Sequence, residues 1–461
     1  MTNPIPRDDT QNNNGLYPAV NIDNASDYAM LTDVLEQSGF ENTPFENTVF
    51  ESFDDGLYIG MMSGTSLDGM DAVICQFTHD NNDDNDNTPM QLLATYSQDF
   101  SPRLREVLLA LCQPNGVQQL IPQDDEPSTY YGEANSELDW FGWASKAYGE
   151  FASEVVNALL QHANIDADSV LAIGCHGQTV RHRPHLGFSL QLLDASIIAE
   201  RTGISVVSDF RRRDMAVGGQ GAPLVPAFHQ ALFAKADTTR VLLNLGGIAN
   251  IAVLPAANNP KISQVVGYDT GPANLLLDAW IALHTDKNYD AGGAWAASGT
   301  IITPLLNQLL AHPFFAKSYP KSTGREDFNL AWLQAELAIF NQANTDASYS
   351  PADVQATLTE LTAISAAHQI SAFIDNDTSD TANAVYVCGG GALNSYLMTR
   401  LQFHLPHCLV ETTARLGLAP TWVESVAFAW LARQTLLGET GNLPAVTGAK
   451  KEVVLGQVCF A

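Results

Sequence analysis

Residues 60–71 read GMMSGTSLDGMD, and residues 244–251 read NLGGIANI. Each stretch follows a short apolar run and precedes another, which is the pattern of a β-hairpin with a turn of small residues. Glycine permits positive φ and a close approach of a ligand to the backbone, so turn amides can converge on an anion. Either stretch alone also fits a plain glycine-rich turn. Because two such hairpins occur far apart in one chain, we predict a duplicated α/β fold that holds a nucleotide phosphate chain from both sides.

The bulk composition narrows the class of protein. A chain of 461 residues is too long for one compact core and predicts two domains. A formal net charge of −29 argues against binding to nucleic acid or acidic membranes, because phosphates would be repelled. The six cysteines are dispersed without a short-spaced pair, which favours reduced thiols. No signal peptide and no bilayer-spanning apolar run is recognisable, so we expect a cytoplasmic protein.

The order of apolar segments indicates the domain organisation. Residues 1–55 are rich in Asn, Asp, Ser and Glu and predict a poorly ordered extension. We place a first lobe at residues 56–237 and a second at 238–461, because a run of three strand-like segments begins each. Repeated mixtures of strands and helices predict a mixed β-sheet flanked by helices in both lobes. A last helix, Val423 to Leu437, is long enough to pack back across the groove between them.

Two further stretches follow apolar strands and contain glycine. CGGGALN, residues 388–394, would let an adenine or a ribose lie against the backbone, and the helix that follows suits a phosphate. The alternative is a glycine-rich connection without a ligand. In GYDTGPAN, residues 267–274, Asp269 or Thr270 either caps the next helix or contacts a ligand.

Two polar segments are candidates for substrate contacts. SDFRRRD, residues 208–214, is the one dense basic cluster of an acidic chain and leads into a loop of small residues. It is either a solvated turn with local ion pairs or a site where an arginine holds an anion and a carboxylate acts as general base. His176 begins HGQT at the end of a strand. Its neighbour Cys175 would point to the opposite face, which argues against a Cys–His dyad.

Together these segments closely resemble the anhydro-N-acetylmuramic acid kinases of the actin/heat-shock-protein/sugar-kinase superfamily. The matching stretches are GMMSGTSLDGMD, GCHGQTVRHRP (174–184), SDFRRRDMAVGGQGAPLVPAFH (208–229), NLGGIANI, GYDTGPAN, YDAGG (289–293), KSTGREDFN (321–329) and CGGGALN. The resemblance covers the chain from about Leu57 onward. It implies two ribonuclease H-like lobes around a central nucleotide cleft, and a cytoplasmic, homodimeric enzyme of cell-wall recycling. Such enzymes use ATP and Mg²⁺ to convert 1,6-anhydro-N-acetylmuramic acid and water to N-acetylmuramic acid 6-phosphate.

The resemblance also assigns expected roles to residues of this chain. It implies that Asp214 is the catalytic base. The expected ATP contacts are Gly64, Thr65, Ser66, Leu67, Asp68, Gly69, Met70, Asp71, Gly246, Gly247, Gly389, Gly390 and Gly391. The expected substrate contacts are His176, Gln178, Thr179, Arg213 and Glu424. Asp68, Asp71 or Asp269 would hold magnesium, chiefly through water.

Two other classes of protein remain as alternatives. An actin- or chaperone-like ATPase switch would use the same hairpins and glycines, but it does not explain the RRRD loop or HGQT. A dinucleotide-dependent oxidoreductase would need one glycine fingerprint after its first strand and an acid about twenty residues later, instead of two hairpins.

Overall fold

Two mixed sheets with the same strand order organise the chain. In this computed structural model the described residues are 53, 55–64, 67–78, 90–127, 136–345, 348–374 and 383–461. The predicted N-terminal extension therefore lies almost wholly outside the described residues, as do Thr65 and Ser66 of the first hairpin.

The first sheet has six strands in the order β13-β7-β4-β1-β2-β3. The strands are β1 (Gly56–Met62), β2 (Gly69–Phe77), β3 (Met90–Asp99), β4 (Val170–Cys175), β7 (Val206–Ser208) and β13 (Gln457–Cys459). The first three are antiparallel, whereas β4 runs parallel to β1 and β7 runs parallel to β4. Between β4 and β7, strands β5 (Gln178–Arg183) and β6 (Phe188–Leu192) form a separate hairpin.

The second sheet repeats this arrangement with five strands in the order β10-β9-β8-β11-β12. The strands are β8 (Thr239–Leu245), β9 (Ile248–Leu254), β10 (Val266–Pro272), β11 (Asn383–Cys388) and β12 (Leu409–Thr412). Its first three strands are again antiparallel and the last two are parallel to β8 and β11. The shared order third-second-first-fourth-fifth confirms the predicted pair of ribonuclease H-like lobes, and both glycine stretches are hairpin turns.

Helices cover both sheets. Those before the second sheet are α1 (Pro102–Cys112), α2 (Glu137–Ala163), α3 (Ala195–Thr202), α4 (Phe210–Ala216) and α5 (Val225–Phe233). Those after β10 are α6 (Asn274–His284), α7 (Ala294–Ala297), α8 (Thr303–Leu310), α9 (Pro313–Ala316), α10 (Leu330–Ala343), α11 (Pro351–Ser371), α12 (Ser395–His404), α13 (Val423–Leu437) and α14 (Pro444–Thr447). None of the helices in the described ranges is long and apolar enough to cross a bilayer.

Helix α13 packs on the first sheet, because two glycines let its backbone approach. A Cβ atom added at Gly60 would lie 1.8 Å from the carbonyl oxygen of Ser425, and one at Gly174 would lie 2.0 Å from that of Phe428. Strand β13 then pairs with β7 at the edge of the same sheet. The expected return of the last helix to the first lobe is therefore present, and β13, which the predicted division 238–461 placed in the second lobe, also joins the first sheet.

Candidate active site

A cavity of about 220 Å³ lies beside the second glycine hairpin. Its lining joins both lobes: β10 and the 320–322 segment on one side, and the 220–226 loop, α4 and the start of α13 on the other. At about 30 Å³ per water molecule, this volume suits one small organic molecule. Its charged lining residues are Arg211, Asp269, Lys321 and Glu424, with the histidines His182 and His229.

Asp269 places a carboxylate in this cavity from the middle of β10. Its Oδ2 accepts a hydrogen bond of 3.0 Å from the Thr323 amide. Burial raises the pKa of Asp269 to about 7; the Thr323 hydrogen bond opposes this rise, and the nearby charge of Glu326 adds to it. Asp269 does not cap α6, whose N-cap is Ala273, and the Thr270 hydroxyl donates to the Ala249 carbonyl at 3.3 Å. Of the two sequence interpretations for Asp269, the geometry favours ligand contact.

Glu424, in the first turn of α13, lines the same cavity. Its Oε1 accepts from the Asn244 side-chain amide at 3.1 Å, which links α13 to the end of β8 in the second lobe. Burial raises the pKa of Glu424, while Arg211 and the Asn244 hydrogen bond hold it down. Two carboxyl groups in different environments therefore face one cavity, which is a common arrangement for acid–base work.

Asp214, expected from the resemblance to be the catalytic base, lies behind the cavity wall. Its exposure is 0%, and it is not part of the cavity lining. Its Oδ2 accepts from the Gly221 amide at 2.8 Å, and its Oδ1 accepts from Asn442 Nδ2 and Thr447 Oγ1, both at 2.7 Å. A Cβ atom at Gly219 would lie 2.1 Å from Oδ2, so the glycine loop is folded directly onto this carboxylate. The same loop carries Gln220 and Ala222 into the lining, and it separates Asp214 from the cavity.

The three arginines of the RRRD run have three different environments. Arg211 lines the cavity, Arg212 forms an ion pair with Asp209 at 2.6 Å, and Arg213 is exposed. Arg213, the expected substrate contact, is therefore at the surface. Arg211 is held by two hydrogen bonds: Nε donates to His176 Nε2 at 3.0 Å, and Nη1 donates to the Gly221 carbonyl at 2.7 Å.

The HGQT segment supports the site from outside the cavity. Burial, and then the charge of Arg211, lower the pKa of His176 well below its usual value, so its ring is neutral and can accept from Arg211. Gln178 donates to the Thr179 carbonyl at 3.5 Å, and the Thr179 hydroxyl accepts from Gln191 at 3.0 Å. None of the three expected contacts, His176, Gln178 and Thr179, lines the cavity. Burial also raises the pKa of Cys175 to about 12, which keeps this thiol protonated.

The first glycine hairpin closes with the pair Met62 and Asp71, so Gly69 and Met70 begin β2. Arg105 braces the turn, since Nε donates to the Leu67 carbonyl at 2.9 Å and Nη2 lies 3.0 Å from Asp68 Oδ1. The Asp71 carboxylate accepts from the Ser97 hydroxyl, and its backbone carbonyl accepts from Ser425 at 3.4 Å. Helix α13 thus contacts the first hairpin through Ser425 and the end of the second through Glu424.

The second hairpin and the glycine cluster form one backbone surface. The carbonyl groups of Gly246 and Gly247 accept from the amides of Asn274 and Ala273 at 3.0 Å, which ties the turn to the start of α6. A Cβ atom at Gly389 would lie 2.4 Å from Asn244 Oδ1, so the cluster packs on β8. At Gly246 and Gly390, by contrast, an added Cβ atom would meet nothing closer than 3.6 Å. An added Cβ atom at either position would make only ordinary van der Waals contacts, so packing within the chain does not require glycine there.

The acidic residues near the first hairpin do not form a closed metal cage. In the described ranges, no three His, Cys, Asp or Glu side chains are grouped as ligands of one ion. Burial, followed by the charges of Asp68 and Asp290, raises the pKa of Asp278 to about 7, so three carboxylates influence one another here. Mg²⁺ typically uses one or two carboxylates and completes its shell with water and phosphate oxygens. The residues present fit an ion held in that way.

Comparisons with known proteins identify the family of this chain. The family model described as Anhydro-N-acetylmuramic acid kinase matches residues 56–461 of this chain. A protein of that name from Psychrobacter cryohalolentis is 74% identical over 445 residues, which cover 94% of this chain and 99% of the relative. One from Saccharophagus degradans is 47% identical over 409 residues, covering 87% and 98%.

Among solved structures, the activator of the 2-hydroxyisocaproyl-CoA dehydratase from Clostridium difficile aligns with a TM-score of 0.39 and 10% identity, covering 82% of this chain and 95% of that one. That likeness is too distant to bear on the site. The family assignment depends on the match to the family model and on the two similar relatives. This chain belongs to the anhydro-N-acetylmuramic acid kinase family.

Proposed function

We propose that this chain is an ATP-dependent kinase that converts 1,6-anhydro-N-acetylmuramic acid and water to N-acetylmuramic acid 6-phosphate and ADP, as part of cell-wall recycling. The observation that carries the proposal is the cavity between β10 and α13, which presents two carboxyl groups and a half-buried arginine beside the second glycine hairpin. Such a lining suits a polar, anionic sugar. An ATPase switch acting on protein partners needs no sugar-sized cavity of this kind.

In the proposed reaction Asp214 is the general base. Its carboxylate takes a proton from a water molecule while the water oxygen forms a bond to the anomeric carbon. The bond between that carbon and the 6-oxygen breaks, and the freed 6-oxygen attacks the γ-phosphate of ATP in line, with ADP leaving. Glu424 lies in the cavity and orients the sugar through a hydrogen bond.

Asp214 can reach this water once the glycine loop over it shifts. The loop contains Gly218, Gly219 and Gly221, and both Gly218 and Gly221 have positive φ. Its one backbone hydrogen bond to the carboxylate is that from the Gly221 amide to Oδ2. A shift of the loop would free Oδ2 for the reacting water, while Asn442 and Thr447 keep Oδ1 in place. Loop movements of this kind commonly accompany substrate binding.

Asp269 is the second candidate for the base. It already lines the cavity, and its pKa of about 7 is matched to proton transfer at neutral pH. In the reaction as proposed it contacts the sugar instead. Single substitutions of the two aspartates decide between them, and their expected results are given in the Discussion.

ATP lies between the two hairpins in this proposal. Residues Gly64 to Asp71 and the pair Gly246 and Gly247 contact its phosphates, and Gly389 to Gly391 contact the nucleoside. Packing within the chain does not require glycine at Gly246 or Gly390, which supports a role for both in ligand contact. Magnesium, when bound, neutralises charge on the phosphates, and Asp68 and Asp71 are the carboxylates we assign to it through water.

The experiment that tests the activity is mass spectrometry of the product formed in ¹⁸O-labelled water. We expect one heavy oxygen at the anomeric hydroxyl together with a phosphate on the 6-oxygen. Release of ADP, measured by a coupled assay, should depend on the anhydro sugar. ADP release at the same rate without the sugar would instead support a switch ATPase.

We further propose, from the family resemblance, that the enzyme is cytoplasmic and homodimeric. Size-exclusion chromatography with light scattering decides the second point: twice the mass of the 49.7-kDa chain is expected. A monomer mass at micromolar concentration would contradict it.

A further inference from the structure

Arg211 is a cation of the cavity wall that pairs with no carboxylate of the described chain. None of the ion pairs found among the described residues involves it. A guanidinium has five N–H donors, and the bonds to His176 and Gly221 use two of them. These two partners fix the orientation of the group, and within the described ranges Nη2 donates to no protein acceptor. Such a group is pre-organised for an anionic ligand.

Arg211 itself supplies the positive charge in this part of the cavity, and the carboxylates of Glu424 and Asp214 lie near it. Burial lowers the pKa of Arg211 to about 10, while Glu424 and Asp214 oppose this fall, so the group stays charged at neutral pH. His182 lines the same cavity, and its Nδ1 lies 3.1 Å from Ser189 Oγ. Burial, then Arg211 and Arg183, lower the pKa of His182 to about 4, so its ring is neutral. Among the described residues neither carboxylate forms an ion pair with the guanidinium, so an anionic ligand can take the direct contact.

Anhydro-N-acetylmuramic acid carries one negative charge, on its lactyl carboxylate. We propose that Arg211 binds this carboxylate and thereby selects the lactyl sugar over uncharged anhydro sugars of the same ring system. The inference rests on the proposed function and adds the residue that sets its specificity. His176 is a positioning residue, because its neutral Nε2 holds the guanidinium in place. The three arginines of the RRRD run then differ in role, since Arg211 binds substrate, Arg212 pairs with Asp209, and Arg213 faces solvent.

The test compares two substrates, anhydro-N-acetylmuramic acid and anhydro-N-acetylglucosamine, which lacks the lactyl group. Arg211→Gln should lower kcat/KM for the lactyl sugar by about 30- to 1,000-fold, the usual effect of removing one partner of a buried charge pair. The KM for ATP and the activity or calorimetric affinity for the uncharged sugar should change less than threefold. His176→Asn should give a smaller loss that is likewise confined to the lactyl sugar. Arg213→Gln, on the exposed side of the same helix, is the matched control and should leave both sugars unaffected.

Several results would overturn the inference. An equal loss with both sugars, or a raised KM for ATP, would assign Arg211 to the phosphates or to the fold. A loss of kcat/KM of the same size in Arg213→Gln would show that overall positive charge, and not a direct contact of Arg211, attracts the sugar. If Arg211→Gln fails to fold, Arg211→Lys is the second variant, because lysine keeps the charge but lacks the planar guanidinium. Arg211→Lys should still lower kcat/KM for the lactyl sugar only. Wild-type protein inactive on the lactyl sugar would instead contradict the proposed function itself.

Discussion

At the scale of single residues, environment separates carboxylates that the sequence cannot rank. Asp214 and Asp269 both lie near an apolar strand and near glycine, so their sequence contexts are similar. Only the folded chain shows that Asp214 is enclosed by three donors, whereas Asp269 has one and lines a cavity. The donors Asn442 and Thr447 come from 228 and 233 residues away, a distance no local pattern reveals.

The two acids should respond differently to the same substitution. Asp214→Asn should lose turnover by about 10³-fold or more, because an amide cannot take the proton of the reacting water. It should also lose about 1–3 kcal/mol of stability, because its amide group would face donors of Gly221, Asn442 and Thr447. Asp269→Asn should keep more activity, since an amide oxygen can still accept from Thr323 and contact the sugar. Melting curves and steady-state rates measure both effects.

One outcome would exchange these roles. An Asp214→Asn protein that is destabilised but turns over, beside an Asp269→Asn protein that folds without turnover, would make Asp269 the base. Asp214 would then be an anchor that only holds the glycine loop against the cavity.

The stability of the protein should depend on pH through Asp269. Its pKa in the folded chain, about 7, lies above its ordinary value of 3.8, so folding is disfavoured by its ionisation. The loss of folding stability caused by this ionisation is absent at pH values below the ordinary pKa. It grows as the pH rises and is complete above the pKa that Asp269 has in the folded chain. Asp269→Asn should therefore match the wild type near pH 4 and exceed it by about 1–4 kcal/mol near pH 8. Urea unfolding at both pH values measures the difference, and a gap that is the same at both would contradict the assignment.

At the scale of elements, glycine positions decide how α13 meets the first sheet. Gly174→Ala should destabilise the protein by at least about 1–3 kcal/mol, because the new Cβ atom would lie 2.0 Å from the Phe428 carbonyl oxygen. Gly142, in α2, is the matched control, since an added Cβ atom there meets nothing within 4 Å. Gly142→Ala should raise stability by about 0.5–1 kcal/mol, as expected for a helix interior. Urea unfolding compares them, and equal stability of the two variants would show that this account of the packing is wrong.

At the scale of the whole molecule, the catalytic unit should not need the first 49 residues. The family match begins at residue 56, and the Tyr58 hydroxyl reaches back only to the Phe53 carbonyl at 2.6 Å. A chain that begins at Phe50 keeps that contact, so its melting temperature and kcat/KM should equal those of the full chain. A fall of more than about threefold in kcat/KM would show that the N-terminal residues take part in the activity.

Much of this architecture could be predicted, because local patterns of glycine and apolar residues indicate each hairpin. The duplication and the two hairpin turns follow from such short-range signals, and the length of α13 allowed its return to the first sheet to be expected. What the sequence did not reveal depends on long-range partners: the pairing of β13 with β7, and the place of Arg211 instead of Arg213 in the cavity lining. Helical spacing was one usable signal for the latter, since Arg211 and Asp214 are one turn apart and share a face.

The β13–β7 pairing has a consequence for biosynthesis. Strand β7 leads directly into Arg211 and Asp214, yet its neighbour in the sheet is made roughly 250 residues later. On the ribosome, the first lobe therefore exposes an incomplete sheet edge and an empty groove over Gly60 and Gly174 while the second lobe is still being translated. We therefore expect the nascent chain to be prone to wrong pairing and aggregation until β13 has been made.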